Sequence, residues 1–340
     1  MAKRALLVGI NDLPSARHPI TGCVNDALAW RKLLIEQYGF APQDIKMLTR
    51  PLISDPASGE PTAANIYHGV KELVQHAASG DTIVFQVSSH GTRRRQLWTD
   101  YERDGQDEAL VASDNLVIRD NYFRALYDRL PDGVSFTAIH DFCHSQSSTR
   151  LWFADNAEGR DTIEVDGVEI KLDTMTSRYI EFDPQVHNFY EPEETTPVVD
   201  QSARSTSRGV LMKEMLIAGC LEYETAKDVD FASGRQGAMS YYAIGILRRD
   251  PSITYGRLAT RLRNEVSRRF RQTPVVEGYR GNANRPVFSQ LQSPRSGESG
   301  DFSSGGLAGS AGSDALVPRL QELFDSVVAR NDRGEVRRKD

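Results

Sequence analysis

The chain has 340 residues, 39% of them hydrophobic, and a formal net charge of −6. That length supports a full buried core in one large domain or two small ones, and the mild acidity argues against nucleic acid as the main partner, because phosphate binding needs a basic face. The apolar run behind the basic start, Ala5 to Ile10, is too short for a signal-peptide core or a membrane span, so a cytoplasmic protein with no membrane partner is expected.

In chain order, Arg4 to Ile10 reads as a buried strand feeding a loop at Asn11-Asp12. Asn25-Asp26 can cap a helix carrying Leu28, Trp30, Leu33 and Leu34 and stopping at Gly39. Ile45 to Leu48 is a second strand, and Thr62 to Ala78 is a helix with Ile66, Val70, Leu73, Val74 and Ala77 on one face. Thr82 to Val87 is a third strand, Asp120 to Leu130 a helix, and Val134 to Phe142 a fourth strand. This alternation predicts an α/β fold with a mostly parallel sheet covered on both faces. Functional residues of such sheets collect beyond the carboxyl ends of strands.

From 146 to 208 the periodicity fails. That stretch holds many acidic residues, Glu191, Glu193 and Glu194 among them, and reads as a functional loop or disordered insertion. Order returns with a strand at Met215 to Gly219, helices at Gly237 to Leu247 and Thr254 to Phe270, and a short strand at Thr273 to Glu277. Residues 293–313 are rich in Ser and Gly and read as a flexible linker. The last segment, 314–340, is an amphipathic helix that could recruit a partner or a disordered tail. The three cysteines, Cys23, Cys143 and Cys220, are widely spaced and lack a CxxC pair, so they give neither a disulfide framework nor a zinc motif.

Two strand-end motifs carry chemistry: Val87-Ser88-Ser89-His90-Gly91 and Ile139-His140-Asp141-Phe142-Cys143-His144-Ser145. A thiol acts as nucleophile once a nearby imidazole takes its proton, and the same imidazole can later protonate the leaving amine. The backbone N–H of Gly91, with that of Cys143, could form an oxyanion hole. His144 is a rival base, but adjacent strand residues point apart. Side chains two apart share a face, so Ser88 accompanies His90 and Asp141 accompanies Cys143. A carboxylate at a buried strand end is costly unless it receives a cation, and an arginine could bind it bidentately. A cysteine ending an apolar strand is by itself usually a small buried hydrophobe, which is the reading for Cys220, and Ser-Ser-His-Gly alone is usually a turn. Their joint occurrence favours catalysis.

Taken together with Ala5-Leu-Leu-Val-Gly-Ile-Asn11, Gly22-Cys-Val-Asn-Asp26, Asp104-Gly-Gln-Asp-Glu-Ala-Leu110, Gly237-Ala-Met-Ser240, Thr254-Tyr255 and Gln272-Thr-Pro274, these motifs make residues 4 to 292 resemble the bacterial metacaspases (orthocaspases) of the caspase-like cysteine peptidase clan. The step of 53 residues from His90 to Cys143 agrees with the roughly 50-residue upstream histidine of such enzymes. The resemblance implies a caspase-like sandwich in which 1–145 is large-subunit-like and 209–292 small-subunit-like. It implies a His90/Cys143 dyad that cleaves protein or peptide substrates after Arg or Lys, with Cys23, Asp26, Ser88 and Asp141 lining the pocket for the basic side chain. It also implies self-cleavage within 146–208, where Arg150, Arg160, Lys171, Arg178, Arg204 and Arg208 are the candidate sites. The chemistry needs no cofactor; many relatives are activated by calcium, for which Asp104 and Asp120 are the candidate ligands here, although Asp120-Asn121 replaces the family's Asp-Asp pair. Ser89 and Gln146 stand where the family has glycine, which could reshape the pocket rim.

The leading expectation is therefore a self-processing cysteine endopeptidase. Two alternatives stand beside it. One is a caspase-like peptidase with another preference at the cleaved residue; for Asp, repulsion by Asp141 argues against it. The other is a catalytically silent scaffold of the same fold.

Overall fold

Short apolar runs become strands where both faces are covered, and the amphipathic stretches between them become the covering helices. The computed structural model describes residues 1–16, 19–55, 58–95, 106–142, 162–165, 167–171, 174–193, 212–221, 224–278 and 282–291, all within the unit Met1–Ser293. Its first half contains β1 (Lys3–Ile10), α1 (Cys23–Tyr38), β2 (Ile45–Arg50), β3 (Ser58–Gly59), α2 (Ala63–Gln75), β4 (Thr82–Ser88), β5 (Gly91–Arg95), β6 (Gln106–Val111), β7 (Leu116–Arg119), α3 (Asp120–Tyr127) and β8 (Ser135–Asp141). There follow β9 (Thr162–Val165), β10 (Val168–Lys171), β11 (Thr176–Ser177), β12 (Asn188–Phe189), β13 (Met215–Ala218), β14 (Lys227–Phe231), β15 (Gly234–Gly237), α4 (Ala238–Arg249), α5 (Tyr255–Phe270) and β16 (Val275–Gly278).

The main sheet runs β16-β13-β8-β4-β1-β2-β3. Its pairings are parallel from β13 to β3, and β16 alone joins antiparallel. Alternate residues feed two cores, as the two-residue period of a strand requires. Ala5, Leu7, Val84, Ile139 and Ile217 face α1, α4 and α5. Leu6, Val8, Ile83, Phe85, Val87 and Phe136 face α2 and α3. The predicted α/β sandwich with a mostly parallel sheet is thus the architecture found.

This topology places the chemistry-bearing motifs. From β1 the chain passes to β2 on one side and later to β4 on the other, so the sheet has a switch point between β1 and β4, where open α/β sheets bind ligands. In β4 and β8, Ser88 pairs with Asp141 in register. The strand leading to His90 therefore lies beside the strand leading to Cys143.

Three expectations need correction. The first helix starts at Cys23 with Gly22 as its N-cap, and neither Asn25 nor Asp26 caps it. Asn11 accepts the Val24 N–H through its side chain (3.0 Å), which frees Asn25 to bind the Arg235 carbonyl (2.8 Å). Second, residues 146–208 are not structureless throughout: β9 and β10 form an antiparallel hairpin that buries Val165 and Ile170 in the α1/α4/α5 core, and β11 pairs with β14. Third, Lys227 to Gly237, unassigned from the sequence, is the β14–β15 hairpin. The expected linker 293–313 and tail 314–340 lie outside the described residues. Among the described helices, none is long and apolar enough to cross a membrane.

Candidate active site

Three elements converge at the carboxyl end of the sheet. Asp26 comes from the first turn of α1, Asp141 ends β8, and Asp228 sits on β14, each with no exposure to solvent. Val229 and Phe231 pack into the core, so Asp228, out of phase with both, faces the other way.

The cation they surround is the chain's own Arg178, also fully buried. Its Nη2 donates to Asp26 Oδ2 at 2.7 Å and to Asp228 Oδ1 at 2.8 Å. Its Nη1 donates to the Asp141 backbone carbonyl at 3.0 Å and lies 3.2 Å from Asp141 Oδ1. An arginine with no solvent contact needs such partners, since burying an unpaired charge is prohibitive.

The backbone around Arg178 is held as an added strand. Thr176 and Ser177 pair antiparallel with Asp228 and Lys227. Arg178 N–H donates to the Ala226 carbonyl at 3.1 Å, and Gly91 N–H donates to the Arg178 carbonyl at 2.9 Å. Ile180 N–H returns a bond to the Gly91 carbonyl at 3.0 Å. The chain is therefore extended on both sides of Arg178, and its carbonyl rests on the N–H singled out in the sequence as an oxyanion donor.

His90 follows β4 by two residues, is 1% exposed, and accepts the Val111 N–H through its backbone carbonyl (3.1 Å). Ser89 is buried, donates its hydroxyl to the Val111 carbonyl (2.9 Å), and has no positive φ. Glycine is therefore not required there. Ser88 is buried opposite Asp141 and accepts a hydrogen bond from Gln86 (2.8 Å). Cys23 is buried on the same helical turn as Asp26; burial pushes its thiol well above the usual range, with Arg178 opposing and the three carboxylates reinforcing. Cys220 is buried and donates its thiol to the Glu224 carbonyl at 3.4 Å.

Cys143, His144, Gln146, Asp104, Arg150, Arg160, Arg204 and Arg208 lie outside the described residues. Lys171 ends β10, exposed. Asp120 forms an ion pair with Arg124 (3.7 Å), and among the described residues no three His, Cys, Asp or Glu side chains gather as a metal site. Sequence reasoning missed Asp228 and Arg235. The available signal was the alternation Lys227-Asp-Val-Asp-Phe231 running into Gly234, a hairpin pattern.

The pocket's electrostatics are uneven. Burial raises the Asp26 carboxyl from 3.8 to about 7, with Arg178 opposing and Asp141 and Asp228 reinforcing. For Asp228 burial acts in the same direction, but Arg178 and Arg235 outweigh it and hold the group below its usual range. A carboxyl raised on folding contributes stability that is present below its unfolded value and lost as pH rises through its folded one. Wild-type protein should therefore lose stability relative to Asp26→Asn between about pH 4 and pH 7. Thermal midpoints of the two proteins across that window, in a Cys143→Ala background, test this; parallel curves would contradict it.

A mostly parallel α/β sandwich, with a buried histidine and an acid-walled pocket at the carboxyl end of its sheet, has the caspase-like fold. Residues 3–151 match the family model described as Metacaspase, peptidase C14 domain, so this part of the chain is similar to the metacaspases. Metacaspase-7 of Arabidopsis thaliana is 40% identical over 145 residues, which is 43% of this chain and 35% of that protein. Metacaspase-1 of Cryptococcus neoformans var. neoformans is 30% identical over 295 residues, covering 81% of this chain and 62% of its own length. The chain thus spans about a third of the length of the plant relatives it matches. A solved structure from Geobacter sulfurreducens superposes with a TM-score of 0.58 at 17% identity, over 86% of this chain and 100% of the other.

Proposed function

We propose that the protein is a cysteine endopeptidase that cleaves after arginine or lysine and processes itself between Arg178 and Tyr179. The observation that carries this reading is Arg178: its guanidinium fills the acidic pocket while its carbonyl accepts from Gly91 N–H at 2.9 Å. An internal peptide lying in this way is in the position of a substrate, charged end bound and scissile carbonyl polarised.

In the reaction, the Cys143 thiolate attacks the Arg178 carbonyl carbon and His90 receives the thiol proton. The resulting oxyanion is stabilised by Gly91 N–H. As the C–N bond to Tyr179 breaks, His90 returns the proton to the leaving amine, leaving a thioester. Water, deprotonated by His90, then releases the Arg178 carboxylate and restores the thiol. Foreign protein substrates enter the same pocket once the tethered arginine has left. The full burial of Arg178 also suits the second reading, a silent scaffold in which that arginine is a permanent strut.

Intact-mass analysis of purified protein, wild type against Cys143→Ala, separates the two. Self-cleavage gives a fragment ending at Arg178, and Cys143→Ala gives none. A wild-type chain that stays whole and cleaves no basic peptide is the scaffold; cleavage surviving in Cys143→Ala removes the dyad.

A further inference from the structure

We propose that Asp228, held in place by Arg235, is the residue by which this pocket selects arginine over lysine. The inference rests on the basic-residue reading above and adds the determinant within that class.

Asp228 divides its carboxylate between two tasks. Oδ2 is fixed by the protein, accepting from the Thr21 and Gly22 N–H groups (3.2 and 3.3 Å) and from Arg235 Nε (2.8 Å). Oδ1 is left to the guest and meets Arg178 Nη2 at 2.8 Å. Gly22 keeps that orientation open, because a β-carbon there would stand 2.2 Å from Oδ1. Arg235 also grips the guest chain: its Nη2 donates to the Thr174 carbonyl and to Thr176 Oγ1, both at 2.7 Å. One side chain thus aligns the carboxylate and the segment entering the pocket.

The arrangement reads the shape of a guanidinium. Nη2 is shared between Asp26 and Asp228, while Nη1 is turned to Asp141. A lysine carries one nitrogen, and it falls at the place of the guanidinium carbon, one bond short of both Nη atoms. It cannot reach Asp228 and Asp141 together, and a buried carboxylate is left without its partner. Each carboxylate has its other oxygen held, Asp26 by Gly237 N–H and Asp141 by Ser240 N–H, but that of Asp228 accepts from three donors, so Asp228 is the one least able to follow the shorter side chain.

The test uses the full chain after self-cleavage and two blocked peptides identical except for a terminal Arg or Lys amide, with kcat/KM measured for wild type, Asp228→Asn and Arg235→Gln. Wild type should favour Arg on the order of tenfold or more. Asp228→Asn should lower turnover of the Arg peptide by about that factor and of the Lys peptide far less, closing the ratio. Arg235 is partly exposed, so Arg235→Gln should fold even if Asp228→Asn does not, and it should narrow the same ratio. Equal turnover of both peptides by wild type, or a ratio unchanged in whichever variants fold, overturns the assignment while leaving a basic-residue peptidase standing. Wild type that cleaves neither peptide overturns both.

Discussion

Arg178→Ala should destabilise the uncut chain by about 3–5 kcal/mol, the cost typical of removing one partner from a buried ion cluster, and should abolish the fragment ending at residue 178. Both effects have the same source. Asp26, Asp141 and Asp228 have no solvent exposure, so without the guanidinium three carboxyls face one another in a dry site. The least costly response is to keep a proton on Asp26, already raised to about 7 with the arginine present. The penalty should therefore be smaller at pH 5, where that proton is held readily, and grow as pH rises past 7. A small guanidinium or amidinium compound added in solution should restore part of the loss, by about 2.7 kcal/mol at a hundred times its dissociation constant. Chemical denaturation of Arg178→Ala in a Cys143→Ala background, at two pH values and with and without benzamidine, provides the measurement. A loss below about 1 kcal/mol, insensitive to pH and to benzamidine, would show that the carboxylates do not depend on the arginine.

Much of this site was legible in the sequence because strands impose a strict period. Counting in twos puts Ser88 and Asp141 among the polar groups of their strand ends, and the neighbouring of β4 and β8 places the two opposite each other, while Cys143 lies outside the described residues. Asp26 was recognisable through the resemblance, although its role as a helix cap was wrong. Cap geometry depends on which side chain can reach the free N–H groups, and Asn11, distant from the helix in sequence, reaches Val24 first. Asp228 stayed hidden for a related reason. Its place in the pocket depends on a hairpin folding back onto residues 21, 22 and 178, and no local pattern encodes such a return. The interval after β8 misled most. Its weak apolar periodicity suggested an irregular insertion, yet Val165 and Ile170 anchor a hairpin in the core, and the short β11 leads directly to Arg178. An edge segment stabilised by backbone pairing and one ion cluster needs few apolar side chains, so hydrophobic periodicity cannot report it.

Gly237→Ala should reduce cleavage after arginine at least a hundredfold while leaving the thiol reactive towards a small alkylating reagent. Gly237 ends β15, and its N–H donates to Asp26 Oδ1 at 3.0 Å, which brings the backbone directly against the pocket. A β-carbon at this position would lie 2.3 Å from Asp141 Oδ2, 2.5 Å from Arg178 Nη1 and 2.8 Å from its Cζ. Distances that short cannot be kept, and neither neighbour can retreat easily: Asp141 is the last residue of a central strand and accepts the Ser240 N–H at 3.1 Å, and the guanidinium is pinned between three carboxylates. Its φ is −67°, so alanine is compatible with the backbone itself and the added methyl acts through volume alone. Of the two neighbours, the guest guanidinium must give way at the cost of its ion pairs, because Asp141 is fixed within a central strand. Displaced by even about 1 Å, it loses the charge-assisted bonds that locate the scissile carbonyl over Gly91 N–H, a misplacement that can cost a hundredfold in rate. Self-cleavage at 178 and turnover of an Arg peptide should fall together, since both require the same volume. A Gly237→Ala protein that cleaves the Arg peptide at the wild-type rate would place the substrate's charged end somewhere other than between Asp26, Asp141 and Asp228.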